Sequence, residues 1–286
     1  MTFQLQYCSK GVSGWFRRRY WEVNPLGEHY ERIQADAAWF KARKAEGVNW
    51  YGFTIQDDGF QSGSWSDDWY SLRLLLELAS TFGRCVLRHH PWYMYLKQLQ
   101  GGDIHAFDQS YGSIASMLEG LDPKRIAFQP LGEPTLLSKE EDGRAVSLPA
   151  GEYEAQRKAM SDLLGTFYPH AASIIREKNP NMTMVLTPPG WGHPLGIKDE
   201  VSDITFKVAN SFWAFDTYFD SVAQVAPAVA QTQAFWSARG EKWAILESGA
   251  ADRTQRGTLF EKGITDALDA ACAPIRVPRC YYLGPE

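Results

Sequence analysis

Short apolar runs alternate with longer amphipathic segments along the chain. The apolar runs predict eight strands, at 11–16, 48–55, 84–90, 125–131, 182–188, 204–212, 242–248 and 276–284. Apolar positions at helical spacing predict helices at 28–46, 66–83, 110–121, 151–179, 219–240 and 258–273. Strands that alternate with helices pair in parallel, and eight such units predict an α/β fold, a (β/α)8 TIM barrel.

The pattern contains no repeat, linker or low-complexity tract, so we expect one barrel domain spanning 1–286. A doubly wound sheet is the competing architecture, but no GxGxxG turn follows the first predicted strand. The chain ends shortly after the eighth predicted strand. We therefore expect the final helix of the barrel to be absent from this chain.

Composition and charge argue against some classes of protein. Hydrophobic residues make up 44% and charged residues 22% of the 286 positions, which is typical of a globular domain with its own core. The net charge is −5 and the basic residues are not clustered beyond Arg17, Arg18 and Arg19, which argues against a nucleic-acid partner. No apolar stretch approaches the length of a membrane span, and no signal peptide is visible.

Neither metal nor redox chemistry is indicated. The four cysteines are scattered without CxxC spacing, and Cys85 and Cys280 lie in apolar runs where we expect them to be buried. His89 and His90 are adjacent on a predicted strand, so their side chains point to opposite faces and cannot easily bind one ion. We therefore expect no metal site and no cofactor.

Aromatic residues are abundant, with 11 Trp, 13 Tyr and 15 Phe. Core packing accounts for many of them. A cleft for sugar rings is the second interpretation, because the C–H faces of a pyranose stack on flat aromatic side chains. Trp191, in the segment "PPGWGHP" after the fifth predicted strand, has both interpretations.

Two apolar runs end on a glutamate. "IAFQPLGEPT" (126–135) carries Glu133, and "WAILESGA" (243–250) carries Glu247. In a barrel the carboxyl ends of all strands meet on one face, so both acids are predicted to face the same site. Two carboxyl groups about 5–5.5 Å apart are typical of a retaining glycosidase. A solvated loop acid is the alternative for either residue alone.

These segments, in this order, resemble the clan A glycoside hydrolases and most closely glycoside hydrolase family five, the cellulase-type group. The resemblance extends from "GVSGWF" to "CYYLG" and includes "VLRHHPW", "PLGEP", "SFWAFDTYFD" and "AILESG". It implies that Glu133 is the acid/base and Glu247 the nucleophile. It also implies that His89 and Trp213 orient the sugar and Glu247.

Further substrate contacts are predicted for His90, which follows His89, and for Tyr281. Tyr281 or Tyr282 would replace the tryptophan that the family keeps on its eighth strand. The chain departs from the family pattern at two other positions. Gly132 stands where the family has the asparagine that donates to the sugar 2-hydroxyl, and Gly52 lies near the position of its second-strand arginine.

Arg88 offers one way to return the missing positive charge to the site, and a structural role for it is the alternative. The resemblance implies retaining hydrolysis or transglycosylation of a β-linked poly- or oligosaccharide. A secreted or periplasmic location follows from family analogy alone. A barrel that binds carbohydrate without turnover, and a lyase acting on an acidic glycan, remain as alternative functions.

Overall fold

The computed structural model describes residues 11–15, 27–56, 66–91, 93–135, 138–141, 144–189, 204 and 206–282. Its strands are β1 (Gly11–Trp15), β2 (Trp50–Gln56), β3 (Arg84–His90), β4 (Ile126–Gln129), β5 (Ser138–Glu141), β6 (Arg144–Ser147), β7 (Thr183–Leu186), β8 (Ser211–Phe219), β9 (Trp243–Ala250) and β10 (Cys280–Tyr282). Its helices are α1 (Gly27–Ala45), α2 (Ser66–Phe82), α3 (Tyr93–Gln100), α4 (Asp108–Leu118), α5 (Ala150–Lys178), α6 (Val225–Ala238) and α7 (Leu259–Cys272). None of these helices has both the length and the apolar character needed to cross a membrane.

Eight of the strands form one parallel sheet in the order β10-β1-β2-β3-β4-β7-β8-β9. The sheet closes on itself, because Ile245 of β9 forms a parallel bridge with Arg279, directly before β10. The Ile245 N–H donates to the Pro278 carbonyl at 2.9 Å, and the Ser248 hydroxyl donates to the Cys280 carbonyl at 2.9 Å. The predicted (β/α)8 barrel is confirmed.

The two faces of the barrel strands have different neighbours, because successive side chains of a strand alternate between faces. The outer side chains pack with the helices in the main core. A second, smaller cluster has no helical member, and we assign it to the barrel interior: Trp50, Val86, Ala127, Val185, Phe212, Ala214, Ala244, Leu246 and Cys280. Cys85 and Cys280 are both fully buried, as predicted.

A polar layer lies above this apolar layer, toward the carboxyl ends of the strands. Alternation places Arg88 two residues beyond Val86, Gln129 two beyond Ala127, and Asp216 two beyond Ala214. Arg88 and Gln129 are paired in register, and so are Asp216 and Glu247. This layer faces the side of a TIM barrel on which active sites lie.

Apart from shifted element ends, the structure differs from the predicted elements at three places. The predicted strand at 204–212 is wrong, since the sixth barrel strand is Ser211–Phe219 and residues 206–210 are irregular. Apolar residues of that irregular segment still pack on the core: Phe206 contacts Trp213 with ring centroids 5.9 Å apart. The β5–β6 hairpin and α3 were not predicted, because neither is part of the repeating strand–helix pattern.

Candidate active site

A buried arginine organises the polar layer. The Arg88 side chain is 0% exposed, and its Nη1 donates to Glu247 Oε2 at 2.9 Å. Its Nη2 donates to Asp216 Oδ1 at 2.6 Å and to Oδ2 at 2.5 Å, and its Nε donates to Gln129 Oε1 at 2.8 Å. A buried guanidinium is tolerated only when its charge and its donors are matched. Two carboxylates and one amide supply that match here.

The remaining hydrogen bonds of this layer fix the amide of Gln129. Its Nε2 donates to Thr187 Oγ1 at 2.7 Å, and Thr187 Oγ1 donates in turn to the Leu131 carbonyl at 2.7 Å. The Tyr168 hydroxyl donates to the Thr187 carbonyl at 2.6 Å. Because the Gln129 amide nitrogen is already used, its oxygen is turned toward Arg88. Side chains from three strands, β4, β8 and β9, therefore hold the arginine in place.

A β-bulge turns Glu247 into the barrel. Phe215 pairs with Ile245, but the next residue of β8, Asp216, pairs with Glu247, so Leu246 is the extra residue. Strict alternation would place Glu247 on the outer face with Ile245, whereas the bulge puts it beside Leu246 on the inner face. We call the inner polar group "the bowl": Arg88, Gln129, Asp216, Tyr218 and Glu247, with His90 and Glu133 at its opening.

Both oxygens of the Glu247 carboxylate have a donor. Arg88 donates to Oε2, and the Tyr218 hydroxyl donates to Oε1. Tyr218 lies on the same face of β8 as Asp216, two residues further along. The Glu247 side chain is 13% exposed, so the carboxylate is held in one orientation and still reaches the opening of the bowl.

The pKa of Glu247 is raised to about 7, first by burial and then by the negative charge of Asp216. The Arg88 guanidinium opposes this rise, and Glu133 adds to it. Glu133 therefore lies near enough for its negative charge to act on the Glu247 carboxyl. Near neutral pH, Glu247 is therefore poised between its two protonation states.

Glu133 lies in the turn that follows β4 and is half-buried. Its carboxylate, a ring nitrogen of His90 and a carboxylate oxygen of Asp216 lie within 4.8 Å of one another. His90 Nε2 is 3.8 Å from Asp216 Oδ2. The acid that follows β4 and the acid on β9 are thus brought to one site through shared neighbours.

Gly132 leaves the space that His90 occupies. A Cβ atom at position 132 would lie 2.1 Å from both Cδ2 and Nε2 of the His90 ring. The Gly132 N–H donates to the His89 carbonyl at 2.7 Å, which ties the turn before Glu133 to the end of β3. The absence of a side chain at 132 and the presence of His90 in the bowl are therefore coupled.

The predicted role of His89 in substrate contact does not agree with its position. His89 is fully buried on the outer face of β3, with its ring 5.3 Å from that of Phe107 and 5.4 Å from that of Tyr111. Its Nδ1 is 2.8 Å from the Pro130 carbonyl. Arg88 and His90 face the bowl, so alternation excludes His89 from it.

The predicted role of Trp213 in orienting the sugar also disagrees with its position. It is buried on the outer face of β8 and stacks on Trp236 of α6 with ring centroids 4.7 Å apart. Tyr218, five residues further along, is the aromatic residue of this strand that reaches Glu247. Trp191 lies outside the described residues, and so does the side chain of Tyr281, whose backbone belongs to β10.

Sequence reasoning missed Gln129, Asp216 and Tyr218. The signal for Asp216 was available, since a charged residue inside an apolar strand such as "SFWAFDTYF" must have a partner when buried. His90, Glu133 and Asp216 have the ligand types of a metal site. Both oxygens of Asp216 already accept from Arg88, and the guanidinium would repel a cation there. We therefore do not assign a metal ion to these three residues.

No protein-family model matches the sequence, and no curated protein matches it. Solved structures share its fold. The cellulose synthase subunit Z of Clostridioides difficile gives a TM-score of 0.69 at 14% identity, over 97% of this chain and 91% of that one. A GH5-4 broad specificity endoglucanase from Ruminococcus champanellensis with bound cellotriose gives 0.66 at 12% identity, over 99% and 90%.

A family 5 xyloglucanase from Paenibacillus pabuli in complex with ligand gives a TM-score of 0.66 at 10% identity, over 97% of this chain and 89% of that one. At these identities the similarity establishes the fold. The chain has the barrel found in endoglucanases of glycoside hydrolase family five. The resemblance predicted from the sequence motifs is confirmed at that level.

Proposed function

We propose that the chain is a retaining β-glycosidase acting on a β-linked poly- or oligosaccharide. The observation that carries the proposal is the environment of Glu247, whose two carboxylate oxygens accept from Arg88 and Tyr218 while Glu133 influences its charge from the bowl opening. A nucleophile needs donors that favour its ionised form, and an acid/base needs access to the leaving group. Glu247 has the donors that a nucleophile needs, and Glu133 lies at the opening, as an acid/base requires.

In the first step, Glu247 attacks the anomeric carbon and forms a covalent bond to it through one oxygen. The bond from that carbon to the leaving oxygen breaks, and Glu133 gives its proton to that oxygen. Arg88 remains against the second carboxylate oxygen through Nη1. Its charge, shared with Asp216, lowers the pKa of Glu247 and so favours the ionised carboxylate that attacks.

In the second step, Glu133 acts as a base and takes a proton from water. The water oxygen attacks the anomeric carbon, Glu247 leaves as a carboxylate, and the sugar is released with its original configuration. A sugar hydroxyl in place of water gives transglycosylation. Both steps use the same two residues, so neither requires a cofactor.

His90 supplies the polar side chain next to Glu133 in this proposal. Its ring fills the space above Gly132 and lies near both Glu133 and Asp216. A sugar bound between the two glutamates would meet this ring rather than a side chain from position 132. We therefore assign His90, and not His89, to substrate contact.

A carbohydrate-binding barrel without turnover is the second candidate, and one observation favours it. The pKa of Glu247 is about 7, because burial and Asp216 outweigh the effect of Arg88. A protonated carboxyl is a poor nucleophile. If sugar binding buries Glu247 further, the neutral form gains and the site holds its ligand without cleaving it.

The first test is the release of reducing ends from soluble β-glucans, mannans, xylans and bacterial exopolysaccharides. We expect turnover on at least one class, reduced by at least about 10⁴-fold in Glu247→Gln and by about 10²–10⁴-fold in Glu133→Gln. Binding by the parent and both variants with no turnover on any glycan would establish the second candidate instead.

An activated substrate separates the two roles. An aryl glycoside with a dinitrophenolate leaving group needs little protonation, so Glu133→Gln should still release the phenolate in a burst. Glu247→Gln should release none. Added azide should then react with the glycosylated Glu133→Ala enzyme and give a glycosyl azide of retained configuration. The reverse pattern would exchange the two assignments.

A further inference from the structure

A second cluster of potential ligands lies on the helical layer outside the bowl. Asp108 is the first residue of α4, His105 lies in the turn before it, and His170 lies within α5. Asp108 Oδ1 is 2.6 Å from His170 Nε2, and Oδ2 is 2.8 Å from His105 Nδ1. The two imidazole rings meet edge to face with centroids 4.6 Å apart.

We propose that His105, Asp108 and His170 bind a divalent transition-metal ion of the zinc class. Two imidazole nitrogens and a carboxylate oxygen are a ligand set that zinc, cobalt and nickel accept. One atom from each residue lies within 4.8 Å of the others, so modest side-chain movements bring all three to a single ion. Solvent would occupy the remaining positions.

Small movements suffice to admit the ion. Zinc–ligand bonds of about 2.0–2.1 Å in a tetrahedron place the ligand atoms roughly 3.3 Å apart. His170 Nε2 is 2.6 Å from Asp108 Oδ1 and His105 Nδ1 is 2.8 Å from Asp108 Oδ2, so each ring must move back by less than about 1 Å from the oxygen that it contacts. His105 is free to make this adjustment, since its side chain is 64% exposed, while His170 at 22% is held by its helix.

The backbone already shapes the turn that presents His105. The His105 N–H donates to Asp103 Oδ1 at 3.0 Å, and the Asp108 N–H donates to the His105 carbonyl at 3.0 Å. His105 and Asp108 are therefore presented together, three residues apart, opposite His170. An ion at this position would link α4 to α5.

The site is separate from the bowl. Tyr111, one turn further along α4, packs on His89, which itself faces away from the bowl. The metal would therefore stabilise the outer layer and not take part in glycoside cleavage. Metal binding at this site does not depend on the chain being a glycosidase.

Binding requires both histidines to give up the ring protons that now point at Asp108. Imidazole ligands bind metals in their neutral form, so protons compete with the metal for these ring nitrogens and acid should weaken binding. Without a metal, the same three residues form a hydrogen-bonded network between α4, the turn before it and α5. The experiment must separate these two states.

Zinc titration by calorimetry and cobalt titration by visible absorption, both on tag-free protein, test the proposal. We expect one ion per chain, with an absorption typical of nitrogen and oxygen ligands. His105→Ala and His170→Ala should each weaken binding by more than about tenfold. His90→Ala is the matched control, because it removes a histidine from the other His–Glu–Asp cluster and should leave binding unchanged.

Melting temperatures provide an independent readout. Zinc should raise the melting temperature of the parent chain above its value in a chelator, and it should leave that of His170→Ala at its value in a chelator. The absence of saturable binding, or binding lost only in His90→Ala, would overturn the proposal. The first result would leave a hydrogen-bonded network of these three residues, and the second would place the metal in the bowl.

Discussion

The end of β4 and the end of β9 each present one glutamate to the bowl, but they do so in different ways. Glu133 lies in a turn four residues beyond its strand, next to a glycine and half-buried. Glu247 lies inside its strand, at a bulge, with a donor on each oxygen. Position in a turn gives access, and position within a strand gives fixed orientation.

The two acids therefore depend on different supporting residues. Glu247 depends on charge, through Arg88 and Asp216, which oppose each other in setting its pKa. Glu133 depends on space, because His90 is beside it only as long as position 132 has no side chain. Substitutions of these supports should therefore have distinct signatures.

Among the residues that support the two glutamates, removing the shared cation Arg88 should have the largest effect on turnover. Arg88→Met leaves Asp216 and Glu247 buried without their guanidinium, which should destabilise the fold by about 3–5 kcal/mol. The pKa of Glu247 should rise further, since the main opposing charge is lost, and turnover should fall by about a hundredfold or more. Urea unfolding and reducing-end release measure the two losses.

The matched control is the double variant Arg88→Met/Asp216→Asn. It removes the carboxylate that the single variant leaves unpaired, so it should recover part of the lost stability without recovering turnover. Equal stability of the single variant and the parent would show that Arg88 is not the buried centre of this network.

Filling the space at position 132 tests the support of Glu133. Gly132→Asn must displace His90, because its Cβ would lie 2.1 Å from the ring. We expect about 1–3 kcal/mol of destabilisation and a fall in kcat/KM of up to about a hundredfold. The double variant His90→Gly/Gly132→Asn removes the clash and should recover stability. Full activity in Gly132→Asn would argue against a role for His90.

Asp216→Asn should change the pH dependence more than the maximal rate. Burial and Asp216 both raise the pKa of Glu247, to about 7, so ionised Glu247 is lost as the pH falls through that value. Without the Asp216 charge one raising cause disappears and Arg88 remains. The acidic limb of the kcat/KM profile should move to lower pH by on the order of one unit. An unmoved limb would mean that another group controls it.

The smallest effect on turnover is expected on the outer face of β8. Trp213→Phe loosens the stacking on Trp236 and should destabilise the fold by about 1–3 kcal/mol. KM and kcat should stay within about twofold of the parent, because the side chain does not reach the bowl. A large rise in KM would restore Trp213 to the substrate site.

Much of the barrel could be predicted from apolar patterning alone. The strand predicted at 84–90 is observed at those residues, and the one predicted at 242–248 is observed at Trp243–Ala250, one residue later at its start and two at its end. The sixth strand was misplaced because "ITFKV" is as apolar as the true strand, and only pairing with β7 and β9 distinguishes them. Local pattern cannot show which of two neighbouring apolar runs joins the sheet.

For the site, the sequence determined that two glutamates follow apolar runs and that Arg88 and His90 share one face of a strand. The tertiary structure alone decided that Asp216 and Tyr218 meet Glu247, because this requires the pairing of β8 with β9. It also decided the direction of Glu247, since one extra residue in a bulge reverses the face that alternation assigns. The alternation of side chains between the two faces can be read from the sequence of one strand. A shift in register depends on how two strands pair, so it is decided only in the folded barrel.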